Sequence, residues 1–311
     1  MVNAVEVSVV IPTYNRSALL RDAIDSVMAQ DSQIPFEIII VDNNSQDDTR
    51  AVVQSAIEKH GERLRYISES QQGNAHARNT GVKSAKGDII AFIDDDVIVE
   101  SNWLKSLKEL LDARSELSFV GGRVLPKWSG SPPQWLTPEH WAPLALLDYG
   151  SNELPIDDKN PRGLLTANIA FRRSVFDEIG LFSPKVQRVK NRIGSLEDHE
   201  FILRVCRSGK QGLYLPEMTT TAPVETERLS KAYHRRWHTG HGYFYAVMRD
   251  AEWEKSKFHL LGIPSHLYRN ALTHAVKWCS RVVQGDVAGA FASECRLRFF
   301  YGFLSQRSRR S

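Results

Sequence analysis

Cysteine is scarce: Cys206, Cys279 and Cys295 are the only three in 311 residues, too few and too scattered for a disulfide framework or a zinc site. A reducing setting is therefore expected. There is no run of about 18 uncharged apolar residues, so no membrane-spanning segment is expected. The opening MVNAVEVSVV lacks the basic stretch and cleavage site of a secretion signal, which points to the cytoplasm. Neither G-x-x-x-x-G-K-[ST] nor G-x-G-x-x-G occurs, and P-loop and dinucleotide-binding readings lose their main support. Low-complexity tracts and internal repeats are missing too. At 42% hydrophobic and 25% charged, the composition is that of a globular protein with one large α/β domain plus an appendage, or two modest domains.

What is present begins with an alternation of short apolar runs and helical patterns, the mark of a βα-repeat sheet. Strands are expected at Val5–Ile11, Phe36–Val41, Arg63–Ser68, Asp88–Ile93, Leu117–Leu125 and Leu164–Phe171. Between them, helices are expected from Ser17 as a cap, from Asp47 or Asp48 to Gly61, over Asn74–Ala85 and over Asn102–Ala113. The segment Pro126–Pro161 holds seven of the 13 prolines together with Trp128, Trp135 and Trp141, a composition typical of a functional or mobile loop. A short helix at Ser174–Ile179, a flexible-looking stretch at Ser183–Gly194 and a helix at Glu197–Arg207 follow. From Ser230 onward the pattern is helical, with breaks near Gly262–Pro264 and at Gly285.

In a parallel sheet, ligands bind beyond the carboxyl ends of the strands. The polar groups there are Thr13-Tyr14-Asn15, Asp42-Asn43-Asn44 and Asp94-Asp95-Asp96. Three adjacent carboxylates repel one another and call for a countercharge; oxygen-only ligands favour Mg²⁺ or Mn²⁺, with coordination positions left open for a diphosphate. An acidic turn with solvated side chains is the competing reading. The run Gln72–Gly81 places glycine and small residues before a helix N-terminus, where Arg78 can pair with phosphate or with the acidic triplet.

Together, VSVVIPTYN, VDNNSQDDT, QGNAHARNTG, FIDDD, GLLTANIAFRRSVFDEIGLF and GSLEDHEFILR, in this order from about Val7 to Leu215, resemble the family 2 glycosyltransferases of the GT-A fold. The resemblance implies an α/β nucleotide-diphospho-sugar transferase fold, a Rossmann-like mixed sheet flanked by helices, with a C-terminal helical region appended. It implies a catalytic domain over 1–226, with a nucleotide-binding half at 1–100 and an acceptor-side half at 101–226 that includes the loop 126–161, and a basic helical region over 227–311. It further implies that Pro12, Thr13 and Tyr14 line the nucleoside pocket and that Asp42 accepts a hydrogen bond from the base, which suits uracil or thymine. On the same resemblance Arg78 lies near the nucleotide, Asp94 approaches the ribose, Asp95 is the middle member of the triplet, and Asp96 holds Mn²⁺ or Mg²⁺. Asn168 would face the donor sugar, and Asp198 would be the base of an inverting transfer. Without the resemblance, Asp198 reads as a helix N-terminal acid favoured by the macrodipole.

Ala222 stands about where relatives carry a His, and His234, His238 and His241 read as solvent-facing helical residues. Tyr233-His234-Arg235-Arg236-Trp237 is reminiscent of the Q-x-x-R-W pattern of processive synthases, but Tyr replaces Gln and no membrane span follows, which favours single-sugar addition. The three tryptophans either stack on an acceptor sugar or pin their loop. Residues 227–311 carry 15 Lys/Arg against six Asp/Glu, so net +9 there offsets −6 elsewhere. The stretch RLRFFYGFLSQRSRR suits peripheral attachment to the inner face of the plasma membrane, or packing on a neighbouring element. The implied partners are a nucleoside-diphosphate sugar, UDP-linked by preference, and a saccharide or lipid-linked acceptor in cell-surface polysaccharide or glycolipid assembly, with no nucleic acid. A non-catalytic sugar-nucleotide-binding or scaffold protein and a metal-dependent phosphotransferase are the alternatives.

Overall fold

A computed structural model describes residues 4–187, 193–251, 254–260 and 262–307. In chain order the first strands and helices are β1 (Val7–Thr13), α1 (Ser17–Met28), β2 (Phe36–Asp42), α2 (Thr49–His60), β3 (Leu64–Ser68), α3 (Asn74–Ser84), β4 (Ile89–Phe92), β5 (Ile98–Val99), α4 (Trp103–Ala113) and β6 (Leu117–Trp128). They continue as β7 (Leu154–Ile156), β8 (Ile169–Arg172), α5 (Arg173–Ile179), α6 (Glu197–Arg207), β9 (Gln211–Val224) and α7 (Lys231–Met248). A hairpin of β10 (His259–Leu260) and β11 (Ile263–Pro264) leads into α8 (Ser265–Val283) and α9 (Val287–Arg307).

Nine strands form one mixed sheet in the order β3-β2-β1-β4-β8-β6-β9-β5, with β7 on β9. The first four strands are mutually parallel, and β8 lies antiparallel beside β4. Strands β1 and β2 are buried at every position, as parallel strands covered on both faces must be. Helix α4 turns Trp103, Leu104, Leu107 and Leu111 inward at helical spacing. Gly81 lets α3 press onto β1: a Cβ there would stand 2.3 Å from Val10 Cγ1. Phe92, Phe171, Phe176, Phe182 and Phe201 form an aromatic core beneath β4 and α6, with the Phe176 and Phe201 rings stacked at 5.2 Å.

Most boundaries fall within a residue or two of expectation, but β6 runs on past Leu125 to Trp128, β5 and β7 are strands that no apolar run announces, and three further differences stand out. The expected strand Leu164–Phe171 is regular only from Ile169, because residues 165–168 form a turn closed by the Asn168 N–H on the Leu165 carbonyl at 2.9 Å. Strand β9, 14 residues long, was not foreseen. Ser17 does not cap α1; Arg16 occupies the cap position, and Asp47 Oδ2 accepts the Ser17 N–H at 3.0 Å while Oδ1 accepts the Thr49 N–H at 3.1 Å. One carboxylate thus serves two helix N-termini. Residues 188–192 of the flexible-looking stretch, and Arg309 and Arg310, lie outside the described residues.

By packing, the chain divides into two compact units, cut elsewhere than at a single boundary near residue 226. The first comprises Met1–Lys127, Ala145–Pro184 and Glu197–Pro223; the second comprises Trp128–Leu144, Lys185–Leu196 and Val224–Ser311. In the second unit α9 packs on α7 and α8. Trp135 meets the rings of His140, His234 and Phe291, so this tryptophan pins its loop. The histidines of α7 are not solvent-facing. His234 is fully buried and its pKa falls to about 4, chiefly through burial; His238, lining a cavity of about 480 Å³ with Trp237, His274 and Phe299, falls to about 3 for the same reason.

Candidate active site

The register of the parallel strands collects polar ends along one edge. Thr13 pairs with Asp42 and Asp42 with Ser68, while Val10 pairs with Phe92, from which the chain runs on through Ile93 to Asp94, Asp95 and Asp96. The loops beyond these ends are tied together. The Asn15 N–H donates to Ser45 Oγ at 3.0 Å, and Asn15 Oδ1 accepts the Gln46 N–H at 2.7 Å. Asn43 is buried; it accepts the Gly73 N–H at 2.7 Å and donates to the Gln71 carbonyl at 2.8 Å. Gly73, at φ 139°, holds a conformation that suits only glycine, and so fixes where α3 begins.

Each carboxylate of the triplet has its own partner. Asp94 Oδ1 is 3.4 Å from Arg78 Nη2, Asp95 Oδ2 accepts from Thr13 Oγ1 at 2.7 Å, and Asp96 is ion-paired with Arg16, which also stands 3.5 Å from Asp95. Burial pushes the Asp95 carboxyl up to about 7, with Asp96 and Asp94 adding repulsion against the opposing pull of Arg16 and Thr13. Asp94 is raised as well, by burial first and by Asp96, against Arg78 and Arg16. So crowded a set of hard oxygen donors fits Mg²⁺ or Mn²⁺. Among the described residues no group of three or more His, Cys, Asp or Glu surrounds a single point. Ala222, buried on β9, adds no ligand.

The second half of the site comes from α6. Arg78 reaches Glu197 Oε1 through Nη1 at 3.0 Å, and the two side chains are only 3% and 2% exposed. Arg78 thereby joins the end of β4 to the start of α6. Burial would lower its pKa, but Glu197, Asp94 and Asp198 hold it raised. Asp198 lies in the first turn of α6, half-buried, with Oδ1 accepting the His199 N–H at 2.8 Å. Its pKa rises to about 6 because burial and the Glu197 carboxylate outweigh Arg78. Such a carboxyl is poised to take a proton near neutral pH.

Of the remaining expected residues, Pro12 is buried in β1 and Tyr14 is exposed beyond it. Asp42 is buried and accepts from the Ser45 N–H at 2.9 Å and from Tyr66 Oη at 2.7 Å, which leaves lone pairs for a further donor. Asn168, expected to face the donor sugar, is fully buried, accepts from Trp103 Nε1 at 2.8 Å and donates to the Arg123 and Met218 carbonyls at 2.7 Å, and so cross-links α4, β6 and β9. Asn168→Ala should cost about 2–4 kcal/mol of stability by orphaning buried partners. The donor KM should stay unchanged below the melting transition; a raised KM with unchanged melting would restore Asn168 to the donor site.

Arg16, Glu197 as the partner of Arg78, and Tyr66 are site residues that sequence reasoning did not assign. Two of them left a signal: Arg16 directly follows the strand-end run Thr13-Tyr14-Asn15, and Glu197 is the first member of the Glu197-Asp198 pair in GSLEDHEFILR.

A glucosyl-dolichyl phosphate glucuronosyltransferase of Haloferax volcanii is 27% identical over 213 residues, covering 67% of this chain and 66% of that protein. A GalNAc(5)-diNAcBac-PP-undecaprenol beta-1,3-glucosyltransferase of Campylobacter jejuni is 39% identical over 128 residues, or 40% of each chain. The matched segments thus span under two thirds of those relatives' own lengths. Among solved structures, the mannosyltransferase PcManGT of Pyrobaculum calidifontis in complex with GDP-Man and Mn²⁺ superposes with a TM-score of 0.63 at 18% identity, covering 98% of this chain and 88% of that one. Residues 1–349 of S. aureus TarS with UDP-GlcNAc give a TM-score of 0.56 at 17% identity, covering 93% and 90%. The fold is therefore GT-A. The family model described as glycosyl transferase family 2 matches residues 8–180, more than half of the chain, and the chain belongs to that family.

Proposed function

We propose that the protein is an inverting glycosyltransferase that moves a sugar from a nucleoside-diphosphate donor, UDP-linked by preference, to a hydroxyl of a saccharide or lipid-linked acceptor. One observation carries the reading: Arg78 joins a strand-end carboxylate cluster to Glu197 at the start of α6, next to Asp198, whose carboxyl pKa is raised to about 6. In the transfer, the acceptor oxygen bonds to the anomeric carbon, its proton passes to Asp198, and the bond from that carbon to the diphosphate oxygen breaks. Asp96 would hold Mn²⁺ or Mg²⁺, which when bound offsets the charge gained by the departing diphosphate. Thr13 and Arg16 keep Asp95 and Asp96 in place, Asp94 is oriented by Arg78 toward the ribose, and Asp42 has acceptor capacity for a base N–H. The lipid phosphates that the two relatives are named for support a lipid-linked acceptor in polysaccharide or glycolipid assembly; the basic C-terminal region would contact the inner membrane surface.

Calorimetry with UDP, dTDP and GDP, each with Mn²⁺ and with EDTA, tests the donor site. One diphosphate should bind only with metal, and Asp96→Ala should weaken it at least about tenfold. Binding that ignores both metal and Asp96 would sink the reading.

A further inference from the structure

Helix α8 has two unlike faces. At about 100° per residue, Leu267, Ala271, His274 and Arg281 fall on one side, which faces the cavity of the second unit. Opposite them fall Leu272, Val276, Cys279 and Val283, and there Leu272 is 68%, Val276 63% and Val283 88% exposed. A surface helix ordinarily turns charged or polar residues outward; this one turns an apolar stripe outward along more than three turns. The charge on the helix itself is of one sign, with Asp286, paired to Arg281, just beyond its end. Helix α8 contains no Asp or Glu, and its exposed Arg269 and Lys277 have no ion-pair partner among the described residues. Val287 continues the exposed apolar surface at the start of α9. The aromatic C-terminal stretch, by contrast, is largely used for packing. Phe303 is fully buried, and Phe300 and Leu304 join it in a cluster with Ala246, Ile263 and Leu267.

We propose that the Leu272–Val276–Cys279–Val283 face of α8 docks on an anionic lipid bilayer, the helix lying in the interface with its stripe toward the acyl chains. The proposal rests on the reading of the C-terminal region as a membrane-contact element and narrows that reading to one face of one helix. Charge selects the occupant: a basic helix without acidic residues complements anionic headgroups. So does size. Four side chains of this kind expose on the order of a few hundred Å², short of the roughly 800 Å² per partner of a standard protein–protein interface, whereas shallow insertion needs no such area. An amphiphilic acceptor would be met at the surface where it resides.

Co-sedimentation of the full chain with phosphatidylcholine vesicles, and with vesicles that also contain phosphatidylglycerol, provides the test. The wild type should partition onto the anionic vesicles. The triple variant Leu272→Ser/Val276→Ser/Val283→Ser should bind at least about tenfold more weakly. Arg269→Gln/Lys277→Gln should lose the preference for phosphatidylglycerol. All four wild-type side chains of the stripe are exposed, so melting should be unchanged in the variants. If the wild type binds vesicles and the serine variant binds equally well, the α8 face is wrong while membrane contact by the C-terminal region stands. If the wild type binds no vesicle, both fall. If analytical ultracentrifugation shows a wild-type dimer that the serine variant abolishes, without vesicle binding, the face is a self-association surface and the proposal is overturned.

Discussion

Asp198→Asn should reduce kcat for sugar transfer by about 10²–10⁴-fold while leaving nucleotide binding nearly intact, because the amide keeps the shape and cannot take the acceptor proton. In the wild type, kcat should rise with pH through the Asp198 pKa of about 6 and then level off, since the carboxyl must be ionised to act. The same shift has a stability consequence of opposite value. A carboxyl with an ordinary pKa of 3.8 that rises to about 6 on folding binds protons more tightly in the folded state, so stability falls as pH rises through that window. Above it the full penalty of the buried charge is present. Asp198→Asn removes the penalty, and at pH 8 the inactive variant should melt a few degrees above wild type. Initial rates across pH, with melting curves at pH 4 and pH 8, check both halves. If the variant loses activity and also melts lower at pH 8, Asp198 is a structural acid at a helix N-terminus.

Much of this site was legible because it hangs on strand ends. Apolar runs placed β1, β2 and β4, and sheet geometry then required Thr13, Asp42 and Asp94–Asp96 to share an edge. Position in a strand-helix alternation is a local signal. The roles that stayed hidden depend on contacts between distant residues. Asn168 looks like any polar residue near a strand, yet it is consumed by Trp103 and two carbonyls from β6 and β9. Strand β9 escaped because Pro216, Glu217 and a threonine run interrupt its apolar pattern, although its second half alternates buried and half-buried positions. The histidines of α7 look polar in sequence, but Trp135 from the loop and Phe291 from α9 bury His234, and Trp237 and Phe299 cover much of His241. Glu197 is next to Asp198 in sequence, and only the fold, 119 residues away, supplies the arginine that makes one a buried ion-pair partner and the other a candidate base.

That ion pair yields the sharpest test of how the two halves cooperate. Arg78→Met would leave Glu197 buried without its countercharge and Asp94 without its guanidinium, at a cost of about 3–5 kcal/mol and a melting temperature lower by on the order of 10 °C. Adding Glu197→Gln should recover part of the loss, because the second change removes the charge that the first one strands. The pH profile separates a role in the chemistry from packing alone. The Glu197 carboxylate raises the Asp198 pKa and Arg78 lowers it, so the two single substitutions should move the acid limb of kcat in opposite directions. Glu197→Gln should shift it to lower pH, and Arg78→Met to higher pH. A purely structural ion pair would lower activity in both variants with the limb fixed. Shifts of the same sign would mean that Asp198 is not the group titrating in that limb. Opposite shifts would mean that Arg78 sets the basicity of Asp198 from across the site, the same guanidinium that orients Asp94 at the strand end.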